Sequence, residues 1–354
     1  MKESVLITGG AGFIGTNLAA RLIQEGQRVR ILDNLSRPGV ERNLEWLQSI
    51  GGGLLDFEEG DIRNSAAVRQ CVRNIGSVFH FAAQTAVTTS LTHPRQDFEV
   101  NALGTLTLLE ELRLHRPGIP VVFTSTNKVY GKLEKIAVRL AQERYEPQHP
   151  GVLASGIDES WPLDFHSPYG CSKGAADQYV LDYARSFGMP NVVFRMSCIY
   201  GLHQCGNEDQ GWVAHFLIQS LLGRSITIFG DGRQVRDALF ADDLVEALLL
   251  ASSRSDSLSG CAFNIGGGVD RTISLLELVD LIEHAGGQRP RVRFEDWRVG
   301  DQRYYVSDTS AFTAATGWTP RVSVAEGVSR LFGWLQKNHR THALGEANLK
   351  QGVA

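Results

Sequence analysis

The segment VLITGGAGFIGTNLAARLI (residues 5–23) constrains the chain more than any other stretch. Its start, Val5–Thr8, is an apolar and β-branched run that reads as a buried strand, and Phe13–Glu25 reads as a helix. Gly9, Gly12 and Gly15 lie between and just inside them. A strand that enters a helix through a glycine turn lets the backbone approach a pyrophosphate, whose charge then meets the helix N-terminus. The spacing is G-x-x-G-x-x-G rather than G-x-G-x-x-G, so the turn by itself is weak evidence.

The rest of the first half repeats the strand-then-helix pattern. Val29–Asp33, Val78–Ala82, Val121–Ser125 and Val192–Arg195 read as further buried strands, and Ala102–His115 and Tyr169–Phe187 as helices between them. Strand–helix alternation predicts a doubly wound parallel α/β sheet, which binds ligands beyond the carboxyl ends of its strands. Past residue 196 the pattern shifts to Gly-, Asn-, Asp- and Arg-rich loops with shorter helices at Gly211–Leu222, Leu244–Ala251 and Ser274–Ala285. The expected organisation is a nucleotide-binding domain over 1–195, with 236–262 returning to it. A smaller mixed α/β substrate domain would take 196–235 and 263–340, and 341–354 would be a flexible tail. Residues 131–166 form a long stretch of mixed charge, Pro and Gly, of the kind that is functional or disordered.

Composition narrows the function. A net charge of −4 gives no reason to invoke nucleic acid or an anionic membrane. No apolar run approaches the roughly 20 residues that span a bilayer, and MKESVLITGG leaves no room for a signal peptide. The five cysteines are scattered without a C-x-x-C, which argues against a disulfide framework or a zinc site and makes a reducing cytoplasm the expected compartment.

Asp33 ends the strand after the glycine turn, at the distance where a carboxylate takes the adenosine ribose hydroxyls. It would repel a 2′-phosphate, so NAD is expected rather than NADP. Asp61-Ile62, after a third strand-like run, reads as an adenine-flanking pair. Each acidic residue alone is as easily a turn or cap residue.

The sharpest chemical signal is SPYGCSKGAADQY, containing Tyr169 and Lys173. Positions i and i+4 share one helix face, and an ammonium beside a phenol favours the phenolate. Tyr169 could then take a proton from a sugar hydroxyl while hydride leaves for the cofactor. Y-x-x-x-K alone is usually a solvated helix face; here it lies downstream of the glycine turn and of the strand VVFTST. Thr126, at that strand's carboxyl end, is the expected hydroxyl to the reacting sugar oxygen, while Thr124 and Ser125 read as strand-end packing.

With the glycine turn, Thr126, Tyr169 and Lys173 in order, residues 3–338 resemble the extended short-chain dehydrogenases/reductases that modify nucleotide sugars, a Rossmann-fold group. STNKVYG (125–131) and LDFHSPYGCSKGAADQY (163–179) point within it to the CDP-paratose 2-epimerases, also called CDP-tyvelose 2-epimerases. DQGW (209–212), GDGRQVRD (230–237), FNIGG (263–267) and GDQR (300–303) are shared more widely. The resemblance implies bound NAD, transient oxidation of C2 to a ketone, and hydride return to the opposite face, turning CDP-paratose into CDP-tyvelose. It places cofactor contacts on Gly9, Gly12, Phe13, Ile14, Gly15, Asp33, Asn34, Asp61, Ile62, Ala82, Ala83, Gln84, Asn101, Tyr169 and Lys173. It places substrate contacts on Thr126, Ser197 and Trp212, with Arg236 and Arg298 gripping the diphosphate and His166 within reach of the sugar. Trp212 reads equally as core, and His166 more readily as a loop residue bonded to backbone. It also implies a homodimer paired through Ala102–His115 and Tyr169–Phe187, with Leu106, Leu109, Val180 and Tyr183 offered to the partner.

Two departures matter. Cys198 stands where many relatives carry Asn, and reads as a small buried residue. Asn127 and Lys128 stand where sugar dehydratases carry Asp-Glu, so elimination lacks its proton carriers. A UDP-hexose 4-epimerase would need the same triad and remains open. A non-catalytic NAD-binding scaffold would have no need of a proton relay.

Overall fold

Residues buried on both faces of a sheet read as unbroken apolar runs, and this is what the strands show. In the computed structural model, which describes residues 3–298 and 301–351 and side chains only as far as Asn338, seven strands form one parallel sheet. They are β1 (Ser4–Thr8), β2 (Val29–Asp33), β3 (Leu55–Glu59), β4 (Ile75–His80), β5 (Val121–Thr126), β6 (Asn191–Met196) and β7 (Cys261–Ile265). Their order is β7-β6-β5-β4-β1-β2-β3. Val5 pairs with Val29 on one side and Ser77 on the other, so the order reverses between β1 and β4, where a doubly wound sheet opens its crevice.

Neighbouring residues of β5 show why the run has no polar face. Val122 joins a core layer with Leu18, Ile31, Phe79, Phe194, Leu244 and Leu248. Val121 and Phe123 join the opposite layer with Leu6, Leu32, Leu108, Leu112 and Val180. The covering helices are α1 (Phe13–Gln24), α2 (Gly104–His115), α3 (Ser167–Phe187) and α4 (Ala241–Ser253). Ahead of α2, Pro94–Phe98 is α-helical and Glu99–Leu103 forms a π-turn, a feature that often marks a functional residue.

A smaller lobe surrounds a mixed sheet of Cys198–Tyr200, Val235–Phe240, Thr272–Ser274 and Tyr304–Tyr305. Helices Trp212–Leu221, Leu275–Gly286 and α5 (Val324–Gln351) pack on it through Phe216, Leu278, Ile282, Val328 and Leu331. The lobes interleave beyond the expected boundaries. The sheet keeps the chain as far as Ile265, and Phe312 and Trp318 return to the large core, where Phe312 meets Phe194, Phe263 and Trp318 edge-on. Aromatic burial, which sequence spacing does not reveal, sets these returns. The backbone of α5 runs through most of the expected tail, whose side chains and last three residues lie outside the described residues.

The 131–166 stretch is ordered by contacts with the smaller lobe. Val138–Ala141 and Arg144–Pro147 form a hairpin and Pro150–Ser155 a helix. Arg144 donates to both carboxylate oxygens of Glu277 at 2.8 and 2.5 Å, and Tyr145 donates to Asp231 at 2.6 Å. Among the described residues no helix is long and apolar enough to cross a membrane.

One buried ion pair ties α3 to the sheet. Arg195 on β6 donates twice to Asp177 on α3, each at 3.0 Å, and once to the Tyr130 hydroxyl at 3.2 Å. Tyr130 in turn donates to Asn264 on β7 at 2.8 Å. The Asp177 side chain is fully buried. Asp177→Ala would strand a buried guanidinium, and the expected loss is about 3–5 kcal/mol of unfolding free energy in urea titration. A loss under about 1 kcal/mol would show that the pair is not a structural tie.

Candidate active site

The glycine turn lies at the reversal of strand order. Gly9 has φ +70°, and a Cβ there would sit 2.7 Å from the Ala82 nitrogen just past β4. A Cβ on Gly15 would lie 2.5 Å from the Gly9 carbonyl, so both glycines are required for close packing. Gly12 differs: its Cβ would meet only the Gly9 carbonyl, at 3.1 Å, leaving open space before the α1 N-terminus. That cradle fits a pyrophosphate. Phe13 and Ile14 are half-buried against the core.

Asp33 accepts from the Ala11 amide at 3.0 Å and from Leu35 at 2.9 Å, which fixes its carboxylate over the turn. Burial raises its pKa and those amides pull it back. Asn34 donates to Asp61 at 3.0 Å, linking the ends of β2 and β3. Asp61 accepts from Nε and Nη2 of Arg63 at 2.8 and 2.7 Å, and this hydrogen bonding pulls its carboxyl down to about 2. The Ile62 side chain is buried in the core beside Asp61. The Ala82 amide donates to Thr8 at 3.3 Å, and Ala83 follows it half-buried. A loop spans this crevice from the smaller lobe. Asn17 donates to the Leu202 carbonyl at 2.9 Å, while Arg37 and Thr85 both donate to Gln210, each at 2.5 Å.

Thr126, Tyr169 and Lys173 are all buried and converge at the end of β5. Thr126 is hydrogen-bonded to Tyr169, a contact that lowers the phenol's pKa, but burial dominates and pushes it up to about 12. Lys173 donates to the Thr124 carbonyl at 2.7 Å and lies 4.2 Å from the Phe123 ring centroid. Burial lowers its pKa to about 7, against the pull of Asp177 and Asp97. The hydrogen bond of the ammonium therefore goes to backbone rather than to the phenol. Ser125 has a buried hydroxyl without a protein partner.

Asn101 sits on the π-turn. It accepts from the Gln84 amide at 2.9 Å and donates to the Gln84 carbonyl at 3.0 Å, to Ser172 at 3.0 Å and to Asp97 at 3.2 Å. Ser172, between Tyr169 and Lys173, donates to Asp97 at 2.5 Å. Sequence reading missed Asp97 and Ser172. The signal for Asp97 was its place four residues before Asn101; the packing of two helices supplied the rest.

The substrate-side candidates are less gathered. Arg236 is half-buried, its guanidinium donating to the Val235 carbonyl at 2.8 Å and the Gln302 carbonyl at 2.7 Å. Gln302, within the GDQR segment, reaches back to the Gly131 carbonyl at 2.6 Å and receives Asn127 at 3.3 Å, so it joins Arg236 to the turn after Thr126. Arg298 lies 3.7 Å from the Phe229 ring centroid and donates to the Glu208 carbonyl at 2.9 Å. Ser197 donates to Asp237, a fully buried carboxylate that also receives Gly268 at 3.2 Å. Its hydroxyl is thus joined through Asp237 to the Gly268 amide, just past the FNIGG segment. Trp212 packs edge-on against Phe216 at 5.9 Å. His166 pairs with the Asp164 carboxylate at 3.0 Å, not with backbone. Burial pushes the Cys198 thiol up to about 12. No group of three or more His, Cys, Asp or Glu residues able to hold a metal ion occurs among the described residues.

A dinucleotide cradle with a Thr–Tyr–Lys cluster at the switch point defines an NAD-dependent enzyme of the extended short-chain dehydrogenase/reductase class, and comparisons agree. The NAD dependent epimerase/dehydratase family matches residues 5–266. A CDP-paratose 2-epimerase of Salmonella typhi is 44% identical over 337 residues, covering 93% of this chain and 98% of that protein. A putative UDP-glucose 4-epimerase of Methanocaldococcus jannaschii is 31% identical over 95% of this chain and 100% of its own length. The crystal structure of a Thermotoga maritima UDP-glucose 4-epimerase with UDP-glucose superposes with a TM-score of 0.80 at 31% identity, covering 95% of this chain and 99% of that one. The chain belongs to the NAD dependent epimerase/dehydratase family, and its cofactor is NAD. It is an enzyme of the nucleotide-sugar epimerase type.

Asp33→Ala removes the carboxylate that would repel a 2′-phosphate, and calorimetric titration is expected to show a narrower preference for NAD over NADP. An unchanged preference would take Asp33 out of the ribose site.

Proposed function

We propose that this enzyme inverts C2 of a CDP-activated 3,6-dideoxyhexose, converting CDP-paratose into CDP-tyvelose. The observation that carries the C2 and CDP assignment is the 44% identity, over nearly the whole chain, to a CDP-paratose 2-epimerase. Asn127 and Lys128 follow Thr126, which leaves dehydration without an acid and a base at those positions.

In this reading Thr126 holds the sugar C2 hydroxyl and Tyr169 takes its proton. Burial, with a smaller push from Asp97, holds the Tyr169 phenol near 12, too weakly acidic to ionise at neutral pH, so nearby positive charge has to offset it. Bound NAD supplies that charge together with the acceptor and donor of hydride. Lys173 adds a second cation and holds the nicotinamide ribose. The ketone has to stay bound while it turns over, and Arg236 and Arg298 anchor the diphosphate for that purpose. A C–H beside the anomeric carbon is too weak an acid for Tyr169 to strip directly, so Tyr169 would act on the hydroxyl proton and bound NAD would supply the acceptor for the C–H hydride.

The test is CDP-paratose deuterated at C2, turned over in ordinary water and followed by NMR, beside a panel of UDP-hexoses. Product is expected to retain the deuterium. Wash-out into solvent sinks the hydride route, and turnover of the UDP-hexoses alone moves the assignment to C4.

The helices α2 and α3 also support a homodimer, through residues other than those expected. Leu109, Val180 and Tyr183 are buried within the chain and Leu106 packs against the same core, because α2 and α3 lie against each other and the sheet. The exposed apolar side chains around them are Phe98, Leu103, Leu114, Tyr179 and Phe187. Light scattering at micromolar concentration is expected to give twice the chain mass; replacing Tyr179 and Phe187 by Glu should halve it. A wild-type monomer would overturn the assignment.

A further inference from the structure

Asp97 is a carboxylate with no exposed surface, whose pKa burial raises and Ser172 and Lys173 pull back. Burying a charge so completely is costly unless neighbours hydrogen-bond it. Three side chains do so: Ser172 at 2.5 Å on one oxygen, and Gln84 at 3.0 Å and Asn101 at 3.2 Å on the other. These partners come from three places: the catalytic helix, the loop after β4 and the π-turn. They lock the carboxylate beside the helix segment that carries Tyr169 and Lys173. Ser172 also donates to the Tyr169 carbonyl at 3.2 Å, so the carboxylate and the catalytic helix share one hydroxyl.

We propose that Asp97 is a positioning residue whose fixed negative charge sets the protonation of the Tyr169–Lys173 pair. This rests on the reading of that pair as the proton-handling groups. The charged and titratable groups facing Asp97 are few. Tyr169 and Lys173 face it from α3, with Asp177 one turn beyond Lys173. His80, on β4, is kept neutral by burial, its pKa lowered to about 3, and bridges Thr8 and Thr105. Lys173 is thus the cation that Asp97 sees. A negative charge favours the protonated form of both neighbours: it supports the Lys173 ammonium against burial and holds the proton on Tyr169. Asp97 therefore partly offsets the loss of the lysine's proton to burial, while it also favours the protonated tyrosine.

Removing the Asp97 charge would let both groups lose protons at lower pH. In the full chain saturated with NAD, the ε-carbon signal of Lys173 can be titrated by NMR and assigned by its absence in Lys173→Ala. Asp97→Asn keeps the shape and is expected to lower the Lys173 midpoint by about one pH unit or more. The pH profile of turnover should move in the same direction, both limbs together. Coupling is reciprocal, so Lys173→Met is expected to raise the midpoint of the Asp97 carboxyl carbon, which keeps the proposal testable if Asp97→Asn does not fold. An unmoved Lys173 midpoint in folded Asp97→Asn, or an unmoved Asp97 midpoint in Lys173→Met, overturns it. Tyr169→Phe with full turnover would instead overturn the catalytic reading, and the NMR midpoints would still judge Asp97.

Discussion

The close approach of Gly9 to the end of β4 is the contact on which the site depends. With φ at +70° and Ala82 within 2.7 Å of where a Cβ would stand, the first turn is pressed into the gap where strand order reverses. This puts the α1 N-terminus, the Asp33 carboxylate and the residues after β4 around one crevice. Asp33 reinforces it by accepting the Ala11 amide, so the group expected to select the cofactor also holds the turn in shape. Any side chain at residue 9 would push β1 and β4 apart and open the cradle.

The second constraint is charge kept in a dry place. Along the inner face of α3, Lys173 and Asp177 are one turn apart, and both are buried. Asp177 is satisfied by Arg195, which anchors the helix to β6; Lys173 is satisfied by a backbone carbonyl and by the field of Asp97 and Asp177. A helix pinned by such contacts cannot slide, because sliding would strand a charge. The same burial that fixes the geometry lifts Tyr169 and lowers Lys173, so rigidity and proton affinity have one cause.

Several assignments needed the third dimension. Ser197 lies in a stretch that suggests ligand contact, yet its hydroxyl is taken by Asp237, because a buried carboxylate binds the nearest donor. The 131–166 stretch reads as loop from its Pro, Gly and charges, but Arg144 and Tyr145 find Glu277 and Asp231 more than 80 residues away and order it. Leu109 and Val180 look surplus on a helical wheel, since the pattern shows how wide an apolar face is and not how many neighbours cover it.

The sequence alone determined the alternation of strand and helix, the glycine turn, the carboxylate at the end of β2 and the Tyr169–Lys173 spacing. Each of these is local: it depends on periodicity, backbone freedom or the four-residue repeat of one helix, so it can be read without knowing what lies across from it. Only the tertiary structure decided that Lys173 turns to Thr124, that Ile62 serves the core, and that Asp97, Ser172, Asn101 and Gln84 form one network. Those outcomes depend on burial and on partners distant in the chain. A polar side chain taken out of water bonds to whatever acceptor or donor the packing brings within about 3 Å, and packing is a property of the whole fold.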